Sequence, residues 1–96
     1  MSRHAAFKFI LFVAGDTENS ALALANLSAF CRTRLPNRHE IEVVDVIRQP
    51  KRAMKEGIFM TPTLVKTSPS PVRIIVGTLS DTHTVLEVLG LGDVAA

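Results

Sequence analysis

The chain predicts a single α/β domain of order βαβαββα, and three observations carry that reading. Phe7–Val13 is a short apolar run rich in aromatic and branched residues, the mark of a strand covered on both faces. A helical stretch and then a second β-branched run, Ile41–Ile47, follow it. That spacing makes a right-handed βαβ unit. Finally, Thr61-Pro62-Thr63 stands where a breaker meets a new apolar run. Proline is confined to strand edges, strand starts or bulges, so Pro62 marks a strand entry and is a candidate for cis geometry.

Taken in order, Ala14-Gly15-Asp16 ends the first strand. Thr17 is a good helix N-cap, with Glu18 in the first turn, where the helix dipole favours an acid. The helix is expected from Asn19 to about Leu35. Leu24, Leu27, Cys31 and Leu35 are placed on its apolar face, which Ala23 and Phe30 widen. Pro36-Asn37 stops it. Gln49-Pro50 opens a short helix with proline at its first position and Lys51, Arg52 and Lys55 exposed, and Gly57 suits its end. Thr63–Lys66 and Val72–Val76 read as a hairpin around Ser68-Pro69-Ser70-Pro71. Ser80 or Asp81 caps a last helix that runs through Leu89 and ends at Gly90. Gly92–Ala96 is expected to fray. The order is that of thioredoxin.

Ninety-six residues make one domain, 1–96, with a core of about 7–91. A chain of this size buries only roughly 60–65 % of its unfolded surface, which favours oligomers. It is 47 % hydrophobic and 21 % charged, with mean hydropathy +0.26, apolar enough to suggest a sticky face. A net charge of +2 with neither a basic stripe nor stacking aromatics speaks against nucleic-acid binding. No apolar run is long enough for a membrane span. One cysteine allows no internal disulfide and fits a reducing compartment, so a soluble cytoplasmic protein is expected.

The chemistry of a redox thioredoxin needs a low-pKa thiol at the start of the first helix. Here that loop reads Gly15-Asp16-Thr17-Glu18-Asn19-Ser20, with no cysteine. Cys31 lies three turns on, on the apolar face, and reads as a small buried hydrophobe. Ser20 could hold an anion, but Asp16 and Glu18 repel one. His4, His39 and His83 have no ligand spacing and read as surface residues, so neither a metal nor another cofactor is expected. Glu42 is assigned to solvent, and Asp45 to local capping or pairing. These absences point to a binding module and away from an enzyme. A thioredoxin-like redox or glutathione-dependent enzyme stands as the alternative.

Four separated segments carry a resemblance. Phe12-Val13-Ala14-Gly15-Asp16-Thr17-Glu18-Asn19-Ser20 is similar to the Y-V-A-G-N-T-P-N-S opening of the KaiB family of circadian clock proteins. Val43-Val44-Asp45-Val46 resembles its V-I-D-V strand, and Met60-Thr61-Pro62-Thr63-Leu64-Val65-Lys66 its A-T-P-T-L-A-K. Pro69–Ser80 resembles P-P-P-V-R-R-I-I-G-D-L-S. The likeness runs from about Phe7 to Leu91. The departures are Phe12 for the usual tyrosine, Leu22 and Ala25 where basic residues are common, and the end Gly90–Ala96 where the family often has an acidic tail.

The resemblance implies a non-enzymatic regulator that binds a KaiC-type ATPase, in circadian-type timekeeping or a related stress or timing response. A KaiA-like protein or a histidine kinase would be a further partner. The KaiB-like sensor domain of a clock histidine kinase is a near relative, so a kinase-binding module is a second alternative. Fold switching is also implied, between a thioredoxin-like monomer and a ground state with a βαββααβ second half. A homodimer or homotetramer is expected. The candidate partner contacts are Lys66, Arg73, Asp45 and Arg48, and the candidate fold-switch residues are Pro62, Pro69 and Pro71.

Overall fold

The computed structural model describes residues 6–91. His4 and the end expected to fray, 92–96, lie outside them. The order is β1 (Phe7–Val13), α1 (Glu18–Arg34), β2 (His39–Asp45), α2 (Pro50–Lys55), β3 (Thr63–Ser68), β4 (Arg73–Val76) and α3 (Thr82–Val88). Residues 58–91 are therefore ββα, the thioredoxin-like arrangement, and the αα and β elements of the alternative second half are not what this structure holds.

The four strands lie in the order β2-β1-β3-β4. β1 runs parallel to β2 and antiparallel to β3, and β3 runs antiparallel to β4. This central place explains the apolar run in β1. Its side chains alternate between two cores, one on each face of the sheet. Phe7, Phe9, Leu11 and Val13 meet Ala23, Leu27 and Cys31 of α1 and Leu35 just beyond it, with Val85 of α3 and Leu89 at its end. Phe12 faces the other way and meets Val44, Val65 and Ala53 of α2, with Ile10 beside it. Lys8 is exposed because α2 is too short to reach that end of the face.

The buried stripe on α1 is Ser20, Ala23, Leu27 and Cys31. Leu24, expected on it, is 36 % exposed. Apolar residues ring this helix, so spacing alone did not orient it. Thr17 caps α1 by accepting from the Ser20 N–H, and Leu35 closes the other end with its N–H on the Cys31 carbonyl. β2 starts two residues earlier than expected, since His39 pairs with Phe7. It stops at Asp45, whose side chain accepts from the Ile47 N–H and turns the chain out of the sheet. Asp81, rather than Ser80, caps α3.

Gly57 and Gly90 end α2 and α3 with positive φ, where glycine costs nothing. Thr67 is an extra residue in β3, since Lys8 pairs with Ser68 while Phe9 pairs with Lys66. The Thr61–Pro62, Ser68–Pro69 and Ser70–Pro71 bonds are cis.

Leu11 is fully buried in the core beneath α1, whereas Ile74 on the edge strand is 56 % exposed. Leu11→Ala is expected to cost about 2–5 kcal/mol in chemical denaturation. Ile74→Ala should cost less than about 1 kcal/mol. Equal costs would contradict this core.

Candidate partner-binding surface

The four candidate contact residues fall into two groups. Asp45 and Arg48 stand where β2 leaves the sheet. The Asp45 carboxylate accepts from the Gly15 N–H at 3.1 Å and the Ile47 N–H at 2.9 Å, and Arg48 Nε lies 4.0 Å away. It therefore ties the β1–α1 turn to the β2–α2 turn. Gly15 has φ +58, and a Cβ there would sit 3.4 Å from the Ile47 side chain. These bonds hold the Asp45 carboxyl below the usual range, the Ile47 N–H chiefly, then Gly15 and the charge of Arg48. Arg48 projects outward, with its side chain 85 % exposed.

Lys66 and Arg73 pair across β3 and β4. Lys66, expected as a partner contact, is buried. Its ammonium donates to the carbonyls of Pro69 at 2.6 Å and Pro71 at 2.8 Å, pinning the hairpin turn. Burial pushes its pKa down, and the charge of Arg73 adds to this. Arg73 itself is exposed. The two groups do not merge. Asp45 lies opposite Val13 and Lys66 opposite Phe9, roughly 13 Å apart along β1 and on opposite sides of it.

The three prolines separate likewise. Pro62 is buried at the entry to β3 and accepts from the Gly77 N–H at 2.9 Å. Pro69 and Pro71 lie exposed in the turn at the strand's far end.

The start of α1 is closed. Thr17 Oγ1 accepts from the Ser20 N–H and donates to Ser20 Oγ at 2.8 Å, and Ser20 Oγ accepts from the Ala14 N–H at 3.1 Å. Ser20 is 3 % exposed, so it presents no open anion site. Cys31 is wholly buried, and burial pushes its thiol up to about 11. Such a thiol carries almost no thiolate near neutral pH.

Sequence reasoning missed three features. Glu42 does face solvent, but it also forms an unforeseen two-pronged ion pair with Arg52 (Nη2–Oε1 2.8 Å), and Arg52 reaches Glu56 at 3.4 Å as well. His39 is not a free surface residue, since Nδ1 lies 2.7 Å from the Leu35 carbonyl. The third is a set of exposed apolar side chains between β2 and β3, namely Ile47, Met54, Phe59 and Met60. Phe59 is 90 % exposed. The signal was present in the sequence, as three large apolar residues, Ile58, Phe59 and Met60, between Gly57 and the strand entry at Pro62.

Among the described residues no cluster of His, Cys, Asp or Glu could hold a metal ion, and no helix is long and apolar enough to cross a membrane.

Residues 10–91 match the family model described as the KaiB domain. The chain is 41 % identical over 81 residues to circadian clock protein KaiB3 of Synechocystis sp., covering 84 % of this chain and 78 % of that one. It is 43 % identical over 76 residues to circadian clock oscillator protein KaiB of Acaryochloris marina, covering 79 % and 73 %. The fold is similar to oxidised mitochondrial thioredoxin 3 from Saccharomyces cerevisiae (TM-score 0.70, 18 % identity, 94 % of this chain and 83 % of that one). It is also similar to the N-terminal domain of Synechococcus elongatus SasA (TM-score 0.72, 20 % identity, 91 % and 86 %).

Two outcomes are expected. Asp45, Asp81 and Glu42 all have carboxyls held below their ordinary values. Their stabilisation is present above the unfolded carboxyl range, about pH 4, and is lost as pH falls through the lower folded values. The thermal midpoint should drop on acidification below about pH 4, and Asp45→Asn should make that drop shallower; an unchanged slope would count against the clamp. Cys31 should resist a thiol reagent in the native protein near neutral pH and react on unfolding. Rapid native labelling would contradict its burial.

Proposed function

The chain belongs to the KaiB family, and from that premise we propose that it is a non-enzymatic regulatory protein that binds a KaiC-type ATPase. Its setting is cytoplasmic, in circadian-type timekeeping or a related stress or timing response. The observation that supports a binding role most directly is the apolar set Ile47, Met54, Phe59 and Met60, exposed within one segment of chain. Clustered exposed apolar side chains mark interaction surfaces, and large flexible or aromatic ones make effective anchors. Arg48, Lys51 and Lys55 flank them and are exposed. The matching surface on a partner would be an apolar patch with an acidic rim.

The buried, protonated Cys31 and the closed hydroxyl network at the start of α1 weigh against the redox alternative. Arg48 and Arg73 are the candidate charged contacts that are free to reach a partner. Asp45 acts by holding the turn that presents Arg48, and Lys66 by holding the turn next to Arg73. A KaiA-like protein or a histidine kinase would join or compete once the complex has formed. Without the ATPase, a homodimer or homotetramer would cover the same apolar segment.

Fold switching belongs to the same proposal. The chain after Pro50 is built from short pieces, with six residues in α2, four in β4 and seven in α3. Helices this short depend on tertiary packing for their stability. A second packing of residues 50–91 can then lie within a few kcal/mol of this one.

In a pull-down with the KaiC-type ATPase of the same genome, a complex is expected after long incubation. Phe59→Ala should weaken it about tenfold or more without lowering the thermal midpoint, because the ring is almost wholly exposed. No complex at any concentration would overturn the proposal. Amide NMR spectra should show two slowly exchanging sets of signals for residues 50–91 and one set for residues 7–47; a single set under all conditions would leave a one-state protein.

A further inference from the structure

A cavity of about 260 Å³ lies between α1 and the segment that leads from β4 into α3. It is separate from the apolar segment 47–60. Leu27, Phe30, Leu79 and Val85 give it an apolar floor, and Leu27 and Val85 are almost fully buried. Asn26, Thr33, Arg34, Ser80 and Thr82 stand around it as its polar side chains.

Two facts give the cavity a definite character. First, Arg34 is the only ionisable group that lines it, and among the described residues Arg34 forms no ion pair. Asp81, between the lining residues Ser80 and Thr82, does not itself line the cavity; its two oxygens face the start of α3, accepting from the Thr84 N–H at 3.2 Å and the Thr84 hydroxyl at 2.9 Å. Second, the wall is held in an unusual conformation. Leu79 has φ +63, in the left-handed region that branched side chains rarely adopt. Asn26 of α1 fixes this bend by donating from Nδ2 to the Thr78 carbonyl at 2.9 Å. Backbone held in such a region tends to accompany sites of function.

We infer that this cavity binds a small organic monocarboxylate with a compact hydrocarbon body. The apolar floor receives the hydrocarbon. The Arg34 guanidinium, a planar fork of donors matched to a carboxylate, receives the charged end, with the Ser80 and Thr82 hydroxyls beside it. The volume falls just below the 300–1,000 Å³ usual for drug-sized ligands, which limits the occupant to something of about the size of a single ring or a short chain. Because the cavity joins α1 to the β4–α3 segment, an occupant also stabilises the packing of residues 79–85 against α1.

The test uses benzoate as the probe and benzyl alcohol as its uncharged counterpart. Titration of the full chain should give saturable amide shifts confined to residues 26–34 and 79–85, and benzoate should raise the thermal midpoint in a concentration-dependent way. Arg34→Met should weaken benzoate binding about tenfold or more, as expected for a lost charge-assisted hydrogen bond, and leave benzyl alcohol within about twofold. Ala29→Phe should block both probes by filling the cavity from an exposed position, so a folding defect does not confuse the result. Absence of saturation, shifts spread over the other surface cations, or unchanged benzoate affinity in Arg34→Met would overturn the proposal. None of these outcomes depends on a KaiC-type partner.

Discussion

The packing of β1 on both its faces is the constraint on which the other elements depend. Phe9 and Leu11 need α1 and α3 on one side, and Phe12 needs α2 on the other. A strand buried on both faces must also have neighbours on both edges, because its backbone N–H and C=O groups have no water to meet. β2 and β3 supply them. The parallel partner requires a crossover, so α1 must lie across the sheet between β1 and β2. Asp45 then joins the two turns at the end of that unit, one carboxylate serving the N–H groups of both Gly15 and Ile47.

This architecture decides where chemistry can occur. In a redox thioredoxin the start of the first helix carries a reactive thiol. Here the same place is filled by Thr17 and Ser20, whose hydroxyls bond each other and the local backbone. The thiol of the chain lies deep in the α1 core, where burial keeps it protonated. Among the groups left free to meet another molecule are the apolar side chains that follow β2, the exposed Arg48 and Arg73, and the cavity beside α3.

Much of the fold was legible in the sequence because its signals were local. The apolar run of β1, the Thr17 cap, Pro50 at the first turn of α2 and Gly57 and Gly90 at helix ends each act within a few residues. The misplaced features depend on contacts made across the fold. Spacing places Leu24 on the buried face with Leu27 and Cys31 because α1 has apolar residues all round; packing against the sheet buries Leu27 and Cys31 with Ala23 and leaves Leu24 at the margin. The sequence places Lys66 among the partner contacts because a lysine is rarely buried without a carboxylate; two proline carbonyls in the adjacent turn make its burial tolerable. Ile47 was assigned to β2 because it is β-branched, whereas the Asp45 side chain ends the strand before it. The family was legible through four motifs in order, and the apolar run after Gly57 was visible too, but which of its side chains stay uncovered depends on what the rest of the fold fails to pack against them.

The central claim, that this scaffold acts by binding and not by thiol chemistry, is tested most directly by hydrogen–deuterium exchange. Amide exchange would be compared for the chain alone and in the presence of a KaiC-type ATPase. Marked slowing in residues 46–62 is the predicted result. Slowing restricted to residues 14–20 and the neighbourhood of Cys31, or no change anywhere in the chain, would contradict it.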